Sequence, residues 1–220
     1  MILPPEFYAR DTVSLAKALL GTCLVHETRQ GRTAGRIVET EAYLCDDAAC
    51  HAARGKTKRN AVMFGPPGHA YVYLIYGTYY CFNVVSAGEG IGEAVLIRAL
   101  EPVDGMELMQ RRRGTDGIHS LCSGPGKLCS ALAITPKVNG VALFSGALTI
   151  TDLPGVPAVK PADIVTTARI GINAENLAVH EPLRYYIKGS EFASRRCIHA
   201  PRRRAAQRRS QPTSNRSRSQ

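Results

Sequence analysis

Tryptophan is absent from this 220-residue chain, and aromatic residues make up only 6% of it. No apolar run reaches the roughly 18 residues that a transmembrane helix requires, so no membrane association is expected. The first ten residues, MILPPEFYAR, have neither a basic start nor a long apolar segment, which argues against a secretory signal. Hydrophobic residues nevertheless reach 45%, enough for a sizeable core in one domain.

The seven cysteines include no CxxC pair, and most of them stand among apolar neighbours. This pattern indicates reduced, buried thiols in a cytoplasmic protein. Cys45, Cys50 and His51 could bind zinc, but their spacing matches none of the usual structural zinc motifs. We therefore expect no metal site and no cofactor.

Acidic residues are missing from the last segment, 195–220, which holds nine arginines. These arginines account for nine of the ten net positive charges, so the rest of the chain is close to neutral. Because Arg, Ser, Gln and Pro cannot build a core, the sequence predicts a domain over residues 1–194 followed by a disordered tail. The tail is either an extension without a role or an electrostatic tether to phosphates.

Apolar periodicity and turn residues predict the secondary structure. Asp11 is a natural N-cap for the first helix, and Gly21 is its stop. The predicted elements are helices at 10–21, 105–114 and 126–134, strands at 22–27, 35–44, 94–102, 141–152 and 182–189, a hairpin at 70–88 with Gly77 and Thr78 at its tip, and a long loop at 45–69. Pro102 is expected to end its strand. The mixture predicts an α+β fold: a curved, mainly antiparallel sheet with flanking helices and a protruding hairpin.

Residues 36–43, RIVETEAY, form an apolar strand that carries two acids. Strict alternation would place Ile37, Glu39, Glu41 and Tyr43 on one face. A single glutamate in a strand is most often a structural acid in an ion pair. It can also be a general base that activates water, and two such acids can form the acid/base pair of a glycosidase. The residues alone leave these alternatives open.

Six of the nine tyrosines lie between residues 43 and 80. They form either a tyrosine-rich core or a surface on which a flat ring, such as a nucleobase, can stack. Two nearby segments offer cations for phosphate groups: GKTKRN at 55–60, and SGPGKLC at 123–129, where Lys127 stands at a predicted helix start.

Several long segments together resemble the alkyladenine (3-methyladenine) DNA glycosylase family, in its bacterial form. They occur in the family's order and cover roughly residues 5–194: RIVETEAY, GKTKRNAVMFGPPGHAYVYLIYGTYYCFNVV, AVLIRALEP, LCSGPGKLCSALAI and RIGI…EPLRYYIKGS. The segment between Tyr43 and His51 is one residue shorter than the family pattern, and the Arg-rich tail lies outside the resemblance.

The resemblance implies a role for individual residues. Glu41 corresponds to the general base, and Glu39 is left as a structural residue. Three residues correspond to those that line the base pocket and stack on an extruded base: Tyr43, His51 and Tyr73. Asn83 corresponds to the pocket residue that disfavours guanine. Tyr76 corresponds to a wedge in the minor groove, and Arg98 to a contact with the nucleotide backbone. Further contacts with DNA are expected from Thr78, Tyr79 and Lys127.

The function implied is that of a monofunctional DNA-repair glycosylase acting on alkylated purines of the 3-methyladenine type, with deaminated or etheno purines as further candidates. Its partner would be duplex DNA containing a damaged purine, and the protein is expected to be a cytoplasmic monomer. Two other classes remain: a binding module without catalysis, and a metal-dependent hydrolase that uses Glu39, Glu41 and His51.

Overall fold

The computed structural model of the protein describes residues 1–156, 158–172 and 180–194. Over these residues the chain forms a single sheet of eight strands with five short α-helices beside it. Every strand pair in this part of the chain is antiparallel. The prediction of an α+β fold on a curved, mainly antiparallel sheet is confirmed. The predicted tail, 195–220, lies outside the described residues.

The longest strand, β2, organises the sheet. The strands are β1 Cys23–Thr28, β2 Gly31–Tyr43, β3 Ala70–Ile75, β4 Tyr79–Val85, β5 Ala94–Asp104, β6 Leu148–Thr151, β7 Ile164–Thr167 and β8 Arg184–Ile187. Their order is β3-β4-β5-β2-β1-β6, and β8 joins β7 to the second half of β2. One edge of β2 therefore pairs first with β1 and then with β8, while β5 runs along the other edge.

The helices are short and lie mainly on one side of the sheet. They are α1 Pro5–Tyr8, α2 Thr12–Ala18, α3 Met106–Arg113, α4 Ile118–Leu121 and α5 Pro125–Ala131, with 3₁₀ turns at Ala61–Phe64, Pro136–Val138 and Pro161–Asp163. As predicted, Asp11 caps α2 by accepting a hydrogen bond from the Ser14 N–H at 2.9 Å. Among the described residues, no helix has the length and hydropathy needed to cross a membrane.

Both faces of the sheet are buried. Val72 of β3 and Val84 of β4 pack in the larger core together with residues of the helices. Their neighbours in sequence, Tyr71 and Val85, point the other way and pack in a smaller core against the loop 45–69. The face of the smaller core is the one that carries the candidate site.

The pairing of β2 with β5 is irregular beside the two glutamates. In β2, the extra residue Val38 lies between Ile37 and Glu39, which pair with consecutive residues of β5. In β5, the extra residue Arg98 lies between Ile97 and Ala99, which pair with consecutive residues of β2. Such β-bulges bend a strand and redirect side chains, and they are frequent next to active sites.

The bulge in β2 changes which side chains share a face. Ile37 packs in the larger core with Ala42, although strict alternation would separate an odd-numbered from an even-numbered residue. Tyr43 packs against the smaller core. The prediction that Ile37 shares a face with Glu39, Glu41 and Tyr43 is therefore wrong, and the inserted residue is the reason.

Other element boundaries also differ from the predicted ones. Pro102 does not end its strand, and β5 continues to Asp104. The reason is that Pro102 lies opposite Gly35 at a register shift, where the missing N–H of proline is tolerated. Of the strand predicted at 141–152, only Leu148–Thr151 forms a strand of the sheet, and Ala142 makes an isolated antiparallel bridge to His69. The strand β7 was not predicted at all.

The tip of the β3–β4 hairpin is a tight turn. The Thr78 N–H bonds to the Ile75 carbonyl at 3.2 Å, and the two residues between them, Tyr76 and Gly77, have φ of +52° and +69°. Two positive φ values are typical of the type I′ turns that close hairpins. Glycine adopts this conformation freely, but for a bulky tyrosine it is uncommon and strained. The turn leaves the Tyr76 ring 83% exposed.

Candidate active site

Four side chains on neighbouring strands form a row on the face of the smaller core. Tyr71 of β3 pairs with Asn83 of β4, Asn83 with Leu96 of β5, and Leu96 with Glu41 of β2. Because directly opposed residues of antiparallel strands point to the same face, the row brings a phenol, an amide and a carboxylate together. The sheet itself fixes their relative positions.

Glu41 is fully buried, and both of its carboxylate oxygens accept hydrogen bonds. Oε2 accepts from the Tyr43 hydroxyl at 2.9 Å and from Arg98 Nη1 at 3.2 Å, and Oε1 accepts from the Ile170 N–H at 2.8 Å. Burial raises the pKa of Glu41 above its ordinary value, against the lowering influence of those three donors. A carboxylate whose proton affinity is raised in this way is suited to take a proton from water.

Glu39 is equally buried but has different partners. Its Oε1 accepts from Arg184 Nε at 2.5 Å and from the Ser194 hydroxyl at 2.8 Å, and its Oε2 accepts from the Ser194 N–H at 2.6 Å. A glycosidase acid/base pair would need both acids to face one substrate. Glu39 is instead enclosed by β8 and Ser194, so the two acids of β2 do not form such a pair.

A cavity of about 200 Å³ lies in front of the row. The residues predicted for the base pocket all line it: Tyr43, His51, Tyr73 and Asn83. Tyr71, for which no separate role was predicted, lines it too. This volume is smaller than the roughly 300–1,000 Å³ of pockets for drug-sized ligands, and it suits a single flat ring system.

The cavity wall is made of aromatic rings in mutual contact. The His51 and Tyr73 rings meet edge to face with centroids 4.4 Å apart, and the His51 Nδ1 lies 3.0 Å from the Tyr71 hydroxyl. Burial, aided by the charge of Arg59, lowers the pKa of His51, and burial raises the pKa of Tyr71 to about 12. Both rings are therefore uncharged near neutral pH and offer flat, neutral faces.

Asn83 stands at the floor of this cavity and is 3% exposed. Its Nδ2 donates to the Tyr71 carbonyl at 3.1 Å, which fixes the orientation of the amide. This bond uses one of the two N–H groups of the amide, so that the amide holds a defined position in the cavity wall.

A buried ion pair joins the two segments that face each other across the cavity. Asp47 lies in the loop that carries His51, and its carboxylate contacts Arg169. The Arg169 guanidinium lies 4.7 Å above the Tyr43 ring, and Ile170, the next residue, donates to Glu41. This link ties the loop that carries His51 to the segment that binds Glu41.

A second, larger cavity of about 750 Å³ opens between the hairpin, α5 and the segment around Ile170. All residues predicted to contact DNA line it: Tyr76, Thr78, Tyr79, Arg98 and Lys127. Tyr76 and Tyr79 are mostly exposed, and Lys127 Nζ donates to the Ser123 hydroxyl at 3.3 Å. Arg98 is different, since it is 8% exposed and lies at the bottom of the cavity beside the glutamates.

Glu41 itself lines neither cavity, but its three hydrogen-bond partners, Tyr43, Arg98 and Ile170, all line the larger one. The carboxylate thus lies one layer behind the cavity surface. A water molecule that reached it would have to bind among these three groups.

The sequence did not predict four residues that contact β2 or its glutamates: Arg169, Ile170, Arg184 and Ser194. They lie in or just after RIGI and PLRYYIKGS, which contributed to the resemblance without giving a role to single residues. Nothing in their local pattern signals a contact with strand β2, more than a hundred residues earlier.

No group of three or more His, Cys, Asp or Glu residues in the described part of the chain is placed to hold a metal ion. Cys45 is exposed, and the buried Cys50 donates its thiol to the Gly92 carbonyl. His51 faces the tyrosines. The three residues considered for zinc therefore do not converge on one point.

Comparison with known proteins gives consistent results. The model of the family described as methylpurine-DNA glycosylase matches residues 6–191. A protein of Methanoculleus marisnigri, provisionally named 3-methyladenine DNA glycosylase, is 58% identical over 89% of this chain and 100% of its own length. Proteins with the same provisional name from Carboxydothermus hydrogenoformans and Bacillus cereus are 53% and 48% identical, again over 89% of this chain and their full lengths.

Proposed function

Because the chain belongs to the methylpurine-DNA glycosylase family, whose members hydrolyse N-glycosyl bonds, we propose that it removes damaged purines from duplex DNA. Its substrates are alkylated purines of the 3-methyladenine type, with deaminated and etheno purines as further candidates. It acts as a cytoplasmic monomer and leaves an abasic site. The observation that carries the proposal is Glu41, a buried carboxylate whose partner Tyr43 lines the small aromatic cavity and whose partners Arg98 and Ile170 line the larger one.

The target base has to leave the duplex before its sugar bond can be attacked, which costs a few kcal/mol. Two features of the structure support extrusion. The small cavity offers tyrosine and histidine faces on which a base can stack, each stacking contact contributing roughly 1–3 kcal/mol. The exposed Tyr76 at the hairpin tip is placed to fill the gap that the base leaves in the duplex.

The proposed reaction is a hydrolysis with Glu41 as general base. Water held beside Arg98 and the Ile170 N–H gives its proton to Glu41, and its oxygen bonds to C1′ of the sugar. The C1′–N bond breaks, and its electron pair leaves with the base. An alkylated purine carries a positive charge before this step and becomes neutral by leaving, so activation of the water is the main demand on the protein.

Asn83 supports a preference among purines. Its amide nitrogen is held by the Tyr71 carbonyl at the floor of the small cavity. The exocyclic amine of a base such as guanine would clash with the Asn83 amide at this point. We propose that this contact excludes undamaged guanine.

Contacts with the phosphate backbone come from the rim of the larger cavity. Thr78, Tyr79 and Lys127 line this cavity, and the deeper position of Arg98 supports a contact with the backbone of the extruded nucleotide. The arginines of the tail add cations without sequence preference.

Release of free 3-methyladenine from dimethyl-sulfate-treated duplex DNA, measured by chromatography, tests the proposal. Substitution Glu41→Gln should reduce release by about 100-fold or more while DNA binding persists, because it removes the base but keeps the shape. The matched control is Glu101→Gln on the neighbouring strand, where Glu101 pairs with Arg36 at the surface. Release by the Glu41→Gln variant at the wild-type rate would contradict the mechanism, and a product strand cut without alkali would contradict monofunctional hydrolysis.

A further inference from the structure

Arg98 lies between the two buried acids of β2. Its Nη1 is 3.2 Å from Glu41 Oε2, and its Nε is 3.3 Å from Glu39 Oε1. Arg98 is also the inserted residue of the bulge in β5, so its backbone lacks the regular partner that would fix a strand residue. The two carboxylates are the acidic groups that its guanidinium contacts among the described residues.

Glu39 cannot meet a substrate. It is fully buried, lines neither cavity, and its oxygens are held by Arg184 and by the N–H and hydroxyl of Ser194. These contacts fix the position of Glu39 from the side away from the cavity. Glu39 can therefore act on the reaction through its contact with Arg98 and through its negative charge, which raises the pKa of Glu41.

We propose that Glu39 is a positioning residue for the hydrolysis: its carboxylate attracts the Nε edge of Arg98 as an ion pair and offsets its charge, so that Glu41 is oriented by Arg98 and still remains a competent base. This inference rests on the proposed function. It assigns a role to the acid that the sequence left as scaffold.

The charge arrangement gives the physical reason. A guanidinium paired with Glu41 alone would stabilise the ionised carboxylate and make it a weaker base. With Glu39 at its other edge, the same guanidinium is shared between two negative charges. The charged or titratable groups that face the two acids from the surrounding elements are Arg98, Arg184, Tyr43, Arg169, Tyr73 and Cys81.

The test is the pH dependence of single-turnover release of 3-methyladenine from dimethyl-sulfate-treated duplex DNA, whose alkylated base keeps its charge across the range. For Glu39→Gln we expect the acid limb to move to lower pH by about one unit, because Glu41 loses a negative neighbour. The plateau rate should fall about tenfold, since a weaker base accepts the proton less readily. Glu39→Asp keeps the charge but withdraws it from Arg98, so it should show a smaller shift of the acid limb in the same direction. If the Glu39→Gln variant does not fold, the Glu39→Asp variant tests the inference by itself.

Ser194→Ala is the matched control, because it removes one donor to Glu39 and keeps the charge of the carboxylate. Its melting temperature should fall while its acid limb stays at the wild-type position. A folded Glu39 variant with the wild-type limb and plateau, or with a limb moved to higher pH, would overturn the inference. If the wild-type protein released no base at all, the proposed function would fail instead, so the two failures are distinct.

Discussion

At the scale of single residues, the two acids of β2 differ in their partners and not in their burial. Arg98 contacts both, but the other partners of Glu39 are groups of β8 and Ser194, whereas those of Glu41 line a cavity. Tyr43 has two contacts of consequence: its ring lines the small cavity, and its hydroxyl donates to Glu41. Tyr43 therefore affects the binding of the base through its ring and the chemistry through its hydroxyl.

This dual contact gives a prediction for Tyr43→Phe. The hydroxyl lowers the pKa of Glu41, so its removal should raise that pKa and move the acid limb of base release to higher pH by about one unit. Stacking on the ring should persist, and affinity for lesion DNA should change little. Single-turnover rates between pH 5 and 9, roughly the range in which such groups titrate, provide the measurement.

The control for this experiment is Tyr80→Phe, since Tyr80 lines the larger cavity on β4 and is half buried. Its acid limb should coincide with that of the wild type. A limb that moved to lower pH in the Tyr43→Phe variant, or did not move, would show that the hydroxyl does not act on Glu41.

Composition alone could not distinguish Glu39 from Glu41. Both stand in the same strand among apolar residues, and the partners that separate them lie 129 to 155 positions later in the chain. The resemblance to a family chose Glu41, because it compares whole segments. The assembly of Tyr43, His51, Tyr73 and Asn83 around one cavity also followed from the resemblance, since no local pattern links the loop 45–69 to β3 and β4.

At the scale of secondary structure elements, the hairpin was predictable and the bulges were not. Alternating tyrosines and the YGT turn specify β3, β4 and the tip between them. The bulge at Val38, by contrast, lies in a run with no glycine or proline to mark it. It arises from the fit of β2 between β5 on one edge and two successive strands on the other, which is a tertiary constraint.

The geometry of the hairpin tip leads to a prediction for Tyr76→Ala. Alanine keeps the Cβ atom, so the strained backbone conformation is retained while the exposed ring is lost. Loss of a contact of about 1–3 kcal/mol with the DNA stack should lower single-turnover release about tenfold or more, because the extruded state is less populated.

The same hairpin offers a matched control in Leu74→Ala. Leu74 is 41% exposed, lines neither cavity, and its carbonyl, which accepts from Arg59, remains in the variant. This variant should release base at the wild-type rate. Equal losses in the Tyr76→Ala and Leu74→Ala variants would point to damage to the hairpin and not to the missing wedge.

At the scale of the whole molecule, the net positive charge is concentrated in residues 195–220 of the sequence. The fold class and the near-neutral domain could be predicted from composition and patterning, because hydrophobic burial and charge distribution depend on sums over many residues. The described residues end at Ser194, whose N–H, hydroxyl and carbonyl bind Glu39 and Arg184. The arginines follow directly in the sequence.

A chain truncated after Ser194 should keep its fold and its release of base at low salt. It should lose part of the salt dependence of DNA binding, since each phosphate contact that is removed lowers the slope of log K against log salt by about 0.9. Affinity measured from about 50 to 200 mM salt gives the slopes. A full-length variant with the nine tail arginines changed to glutamine separates charge from length. Equal slopes for all three proteins would show that the tail makes no phosphate contacts.

The contact between Glu39 and Ser194 has a consequence for the making of the protein. The ribosome completes β2 early, but Ile170, Arg184 and Ser194, which hold its two acids, are added 129 to 155 positions later. Until then the two carboxylates have, among the described residues, only Tyr43 and Arg98 as partners, and their remaining oxygens are unpaired in a forming core, which disfavours closing that core. Pairing of Glu39 and Glu41 is thus tied to the synthesis of residues 170–194, and a polypeptide stopped before Ser194 lacks these contacts.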